Sequence, residues 1–259
     1  MKKLYEKNEL HFSLIWIVLY VVLFGAADTI SISLGTEKLI TVPLCIVMSL
    51  LLWGWIKKNG ATEKYGLGRF TGNVREYLYL FPSACQRHAY QSNRLKVLLL
   101  SNFLPLILIS TTNLWGGFTL TRSPLETVLY MTSMLCVGFL EEVIFRGFLF
   151  KALCKDNVRT AFVVSSILFG IGHIVNLLNG AEVFQTLLQI VYAAAVGFMY
   201  TAVFYKGKSL VPCIISHAVI NMTSVFATAP NDSTRIITTI ALTVISIGYA
   251  IVLLKPKKV

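Results

Sequence analysis

The chain alternates between long apolar stretches and short polar joints. Eight stretches stand out, near residues 11–33, 39–56, 96–114, 125–150, 160–179, 184–205, 209–228 and 234–254. A helix rises about 1.5 Å per residue, so roughly 20 apolar residues cross a hydrocarbon core of about 30 Å. The pattern therefore predicts an all-α fold, a polytopic membrane bundle of about eight transmembrane helices. The opening Met1-Lys2-Lys3 and the apolar run after it mimic a signal peptide. No clean small-x-small cleavage site follows, so the run reads as a first, retained helix.

Three stretches carry polar side chains that hydrocarbon does not tolerate alone. The fourth holds Glu141, Glu142 and Arg146, the fifth Phe169 and His173, the seventh His217 and Asn221. Within each, key residues sit one helical turn apart and share a face: Glu142 with Arg146, Phe169 with His173, His217 with Asn221. A charge at the centre of a spanning helix costs about 2.5–3.5 kcal/mol even on insertion scales, and persists where it pairs or lines a polar cavity.

Composition agrees with this reading. The chain is 56% hydrophobic and only 14% charged, with a mean hydropathy of +0.71; soluble domains are about 25% charged. The formal net charge of +11 is informative through its placement. Nineteen of the 23 basic residues fall on one side of the eight spans, leaving Lys38, Arg122 and Arg235 on the other and Arg146 inside. The positive-inside rule then predicts a multi-pass protein of the cell membrane with both termini cytoplasmic. The basic excess suits anionic lipid headgroups and gives no reason to expect nucleic acid. The five cysteines form no pair or framework, so no structural disulfide is expected; Cys85 and Cys154 near the cytosolic face are weak candidates for lipidation. Nothing in the pattern sets the oligomeric state.

Two regions follow. Residues 1–95 supply two spans and a basic cytosolic loop over 57–95, in which Val74 to Pro82 suits a short interfacial helix or an ordinary loop. Residues 96–259 hold the polar motifs and end in a bland support helix. The small residues Ala193 to Gly197 predict a close packing face. Asp28 and Glu182 read as interfacial, and His11 and His88 as surface residues outside any motif.

The topology permits a depth check. Glu141 and Glu142, His173 and His217 all fall roughly 12–21 Å from the cytosolic ends of their helices, at 1.5 Å per residue. Taken singly, each has a plain explanation: an ion pair that clasps helices, packed histidines, a core phenylalanine, an asparagine bonding across helices. At one depth, they suggest one site.

These motifs resemble the signature of the CPBP intramembrane proteases, also called the Abi family, which includes the type II CAAX prenyl endopeptidases. The resemblance rests on Glu141-Glu142-x-x-x-Arg146, Phe169-x-x-x-His173 and His217-x-x-x-Asn221, with the stretch from Gly197 to Pro212 as the linker between motifs. It covers roughly residues 125–225. It implies peptide-bond hydrolysis within the membrane, with the double glutamate and His173 activating water, and His217 and Asn221 stabilising an oxyanion or acting as ligands. Helical spacing favours Arg146 pairing with Glu142, which leaves Glu141 as the favoured base; Phe169 would position the substrate. A metal variant uses the same residues, with Glu142, His173 and His217 holding zinc, although no HExxH motif signals it. A metal-free glutamate mechanism fits equally.

The expected partner is a membrane-bound peptide or protein cleaved near the cytosolic leaflet. A peptide-pheromone precursor, a bacteriocin leader or a prenylated tail would each serve. Two other readings share the sequence: an immunity or scaffold protein on the same fold, and a proton-coupled transporter. Against the transporter, no repeated half is apparent and no span reads as broken by proline.

Overall fold

The computed structural model describes residues 2–68 and 95–255, with side chains of the second segment from residue 103 onward. The loop helix proposed for Val74 to Pro82, together with Cys85 and His88, lies outside the described residues. Among the described residues the regular structure is all helical, joined by turns and with one isolated β-bridge between Phe118 and Ala227. In chain order the helices are α1 (Lys2–Lys7), α2 (Glu9–Ser33), α3 (Thr41–Lys58), α4 (Leu95–Ser110), α5 (Pro124–Leu153), α6 (Val158–Asn179), α7 (Val183–Gly207), α8 (Val211–Phe226) and α9 (Asp232–Leu254). The protein is a polytopic helical bundle, and each of the eight expected spans coincides with one of α2 to α9. Six of them are long and apolar enough to cross a membrane; α4 and α8 are shorter. Pro105 lies inside α4, which continues unbroken through it to Ser110.

Helix starts follow local chemistry. Asn8, Asn157 and Asn231 each accept a hydrogen bond from the backbone N–H three residues on, capping α2, α6 and α9. Ser123 and Glu126 form a reciprocal capping box ahead of α5, with Pro124 at its first position. The outward faces carry Val18, Leu50, Leu187 and Val244, all exposed. Such faces would be a liability in water and are at ease in lipid.

Close approaches set the interior. A Cβ on Gly138 of α5 would lie 2.8 Å from the Ala218 backbone nitrogen of α8, and one on Gly170 of α6 would lie 2.7 Å from the Ile190 carbonyl oxygen of α7. Glycine lets these backbones touch, as small residues do in membrane bundles. Because Gly138 precedes the glutamates and Ala218 follows His217, the first approach brings the acids to the imidazole.

Two helices depart from regular α geometry at their motifs. After Glu141, α5 widens into a π-helical run over Glu142–Phe150, every residue of which is buried. After Gly172, α6 tightens into a 3₁₀ run over His173–Asn179. Apolar periodicity does not resolve such changes, and π turns concentrate at functional sites.

The end of the bundle where the basic residues gather is tightly closed. Phe148 packs against Phe12, Trp55 and Tyr65, with ring centroids 5.1, 5.7 and 4.9 Å apart. Phe150 packs against Phe162 at 5.1 Å. Glu9 holds Lys64 at 2.8 Å and Lys155 at 2.9 Å, tying α2 to the connection after α3 and to the end of α5. Half-buried Cys154 sits beside this layer, where burial pushes its thiol up from its ordinary value.

Candidate active site

Glu142 and Arg146 are both completely buried, and Nη1 of Arg146 donates to Oε1 of Glu142 at 2.9 Å. This is the pairing that the four-residue spacing predicts. Burying two charges costs several kcal/mol per ion, which mutual attraction offsets only in good geometry. The guanidinium is also held over the Phe169 ring, with its central carbon 4.0 Å from the centroid. Gly197 makes room for it, since a Cβ there would meet Arg146 Nη2 at 2.8 Å and the Phe169 ring at 3.1 Å. The small-residue face of α7 therefore serves the site as well as helix packing.

His217 joins the two acids. Its Nδ1 lies 2.8 Å from Oε1 of Glu142, and its Nε2 lies 3.4 Å from Oε2 of Glu141. The ring is 5% exposed and packs edge-on to Phe169 at 5.7 Å and near Tyr200 at 5.8 Å. Phe169 also meets His173 edge-on at 5.5 Å, so one phenylalanine contacts both imidazoles. Behind His217, the Tyr200 hydroxyl, Ser216 Oγ and Ser110 Oγ form a chain of hydrogen bonds at 3.0 and 2.8 Å.

Glu141 is held from an unexpected direction. Tyr20, in the middle of α2, donates its hydroxyl to Oε1 of Glu141 at 2.6 Å. Oε2 of Glu141 has no hydrogen bond from the protein. Glu141, Phe169, His173, His217 and Asn221 all line one cavity of about 460 Å³, while Glu142 and Arg146 lie behind its wall. The site residues read from the three motifs are thus in the cavity or directly beneath it. Tyr20 and Tyr200, and the room that Gly197 makes for Arg146, are not signalled by the motifs. A tyrosine within an apolar helix is the sole mark that Tyr20 leaves in the sequence.

Two further expectations change. Asp28 is no isolated interfacial acid: it accepts from Lys38 Nζ at 2.7 Å and from Thr41 at 2.5 Å, and both Asp28 and Lys38 line the cavity. Nor is α9 only a support, since Thr238 and Leu242 belong to the cavity wall.

The donor set was tested for metal. Among the described residues, no three His, Cys, Asp or Glu side chains gather as metal ligands. Glu142 Oε1 is already shared by Arg146 and His217, and both imidazoles pack against the Phe169 ring. As arranged, Glu142, His173 and His217 do not fit a zinc site.

A family model described as type II CAAX prenyl endopeptidase Rce1-like matches residues 123–223. Over this segment the chain is similar to the CPBP family of CAAX proteases. The match supports a CAAX-protease-like intramembrane endopeptidase in general terms, in a multi-pass membrane protein. No curated protein and no solved structure matches the chain. The matched segment contains every motif residue from Glu141 to Asn221, whereas Tyr20, Asp28 and Lys38 reach the cavity from outside it.

Proposed function

We propose that the protein hydrolyses a peptide bond of a membrane-associated peptide or protein, with Glu141 activating the attacking water. The observation that carries this reading is the placement of Glu141 in the cavity lining: one oxygen is held by Tyr20, and the other lies 3.4 Å from His217 Nε2 with no hydrogen bond of its own.

Amide hydrolysis needs a base for water, stabilisation of the oxyanion and a proton for the leaving amine. Glu141 takes a proton from water as the water oxygen bonds to the carbonyl carbon. The C=O electron pair moves to oxygen, where Nε2–H of His217 and the Asn221 amide donate to it. Collapse reforms the C=O and breaks the C–N bond, and the proton on Glu141 passes to the departing nitrogen. His173, which also lines the cavity, orients the water.

Glu142 and Arg146 act from beneath. Arg146 neutralises Glu142, and Glu142 accepts from Nδ1–H of His217, which directs Nε2 towards Glu141 and the substrate. No step requires a metal. Tyr20 positions Glu141 so that Oε2, and not Oε1, meets the water.

A membrane proteomics comparison between wild type and Glu141→Ala tests the activity in the cell. Accumulation of an uncleaved membrane peptide in the variant is expected. Identical peptide profiles, with the variant correctly inserted, would instead favour a non-catalytic immunity or scaffold role.

A further inference from the structure

The site is closed towards one end of the bundle and open towards the other. On the basic side lies the packed aromatic layer of Phe148, Leu149 and Phe150, each no more than 2% exposed, with Tyr65, Phe204 and Leu210 equally buried below it. Among the described residues, none from that end lines the cavity. From Glu141 and His217 the cavity instead climbs past Tyr130 and Gln189 to Asp28, Lys38, Asn113 and Asn179. Asp28 and Asn179 lie towards the opposite ends of α2 and α6, and Lys38 and Asn113 in the joints just beyond α2 and α4. From Tyr20 to Asp28 the climb is eight residues of α2, about 12 Å at 1.5 Å per residue.

Charge tells the two ends apart. Lys57, Lys64, Lys151, Lys155, Arg159 and Lys208 cluster at the closed end, whereas the open end has Lys38, Arg122 and Arg235. All three of those are matched by acids: Lys38 by Asp28, Arg122 by Glu37 and Arg235 by Asp232. By the positive-inside rule the closed end faces the cytoplasm. The cavity then opens away from it, contrary to the expectation of cleavage near the cytosolic leaflet.

We infer that the substrate enters from the extracytoplasmic side, as a membrane-tethered peptide segment uncharged around the bond that is cut. This deepens the protease reading and rests on it. The wall chemistry matches such a segment. The sole charged groups near the mouth, Asp28 and Lys38, neutralise each other. The remaining polar lining is carboxamide and hydroxyl, from Asn113, Asn176, Gln189 and Tyr130, suited to hydrogen bonding an extended backbone. Val21, Phe24, Met134 and Leu242 offer apolar surface to its side chains. A charged residue beside the cut would lose hydration with no unpaired partner along the wall.

The test uses the full-length protein with Asn179→Cys at the mouth or Arg159→Cys at the closed end. Both variants are treated with a membrane-impermeant maleimide in intact cells and in inverted vesicles, and labelling at each site is read by peptide mass spectrometry. Cleavage of an internally quenched neutral lipopeptide is measured before and after labelling. The expected result is labelling of Asn179→Cys in intact cells with at least a tenfold loss of cleavage. Arg159→Cys labels only in inverted vesicles and keeps its rate. Reversed sidedness, an Asn179→Cys thiol unreachable from either side, or labelling there without loss of cleavage would each overturn the inference. Sidedness is read independently of turnover: correct labelling with no lipopeptide cleaved by the unlabelled protein would count against the protease reading and leave the direction of access standing. Placing lysine or glutamate beside the cut should lower the rate at least tenfold, and equal rates would overturn the stated substrate class.

Discussion

Gly138 and Ala218 touch so closely that a methyl group on the glycine would lie 2.8 Å from the alanine backbone nitrogen. This contact joins α5 to α8 within one turn of both Glu141 and His217. Overpacking a tight interface costs about 1–3 kcal/mol. Gly138→Leu should therefore push α8 away, lengthen the separation of His217 from the acids, and lower cleavage at least tenfold. Thermal unfolding in detergent, run beside the activity assay, checks that the variant is still folded; full activity would remove the contact from the account.

Arg146 neutralises a carboxylate that is fully buried. Removing one partner of such a pair costs about 3–5 kcal/mol, because the other charge is left alone. Arg146→Met should thus lower the unfolding temperature markedly, and Arg146→Met combined with Glu142→Gln should restore much of it. A double-mutant cycle on unfolding temperature measures the coupling, and additive losses would contradict the pairing.

Tyr20 lies far upstream of the family-matched segment yet touches Glu141. Hydrogen bonds to charged groups are worth about 1.5–3 kcal/mol. Tyr20→Phe keeps the ring and removes the donor, so folding should be preserved while kcat falls roughly tenfold or more. Because Tyr20 positions Glu141 rather than the substrate, KM and the unfolding temperature should stay unchanged while kcat falls. A drop in unfolding temperature that accounts for the rate loss would mark Tyr20 as a packing residue only.

The arrangement of Glu142, His173 and His217 predicts indifference to chelators. Metal content of the purified protein should be well below stoichiometric, and treatment with 1,10-phenanthroline should change the rate by less than about twofold. Stoichiometric zinc together with inactivation on its removal would return these three residues to a ligand role.

Much of this architecture could be read from residues alone, for identifiable reasons. Span positions were legible because apolar length is set by bilayer thickness. The Glu142–Arg146 pair was legible because helical neighbours are local, and it survives the π-helical run that begins at Glu142. The position of His217 against both acids was suggested by depth, a global constraint from topology. Contacts across the fold left weaker traces. Tyr20 is one of 11 tyrosines and has no motif around it. The function of Gly197 in admitting the Arg146 guanidinium is invisible in a run of alanines. The direction in which the cavity opens depends on aromatic packing among α2, α3 and α5, and no local pattern records it.

The central claim is that Glu141, at the cavity floor, activates the water that cuts a peptide bond. The most direct measurement compares the wild type with Glu141→Gln in liposomes, using an internally quenched lipopeptide in chelator-treated buffer. The account predicts robust cleavage by the wild type and a loss of about a thousandfold or more in the variant at unchanged unfolding temperature, in line with the 10²–10⁴-fold contribution of a general base. Cleavage by Glu141→Gln within about tenfold of wild type would contradict it.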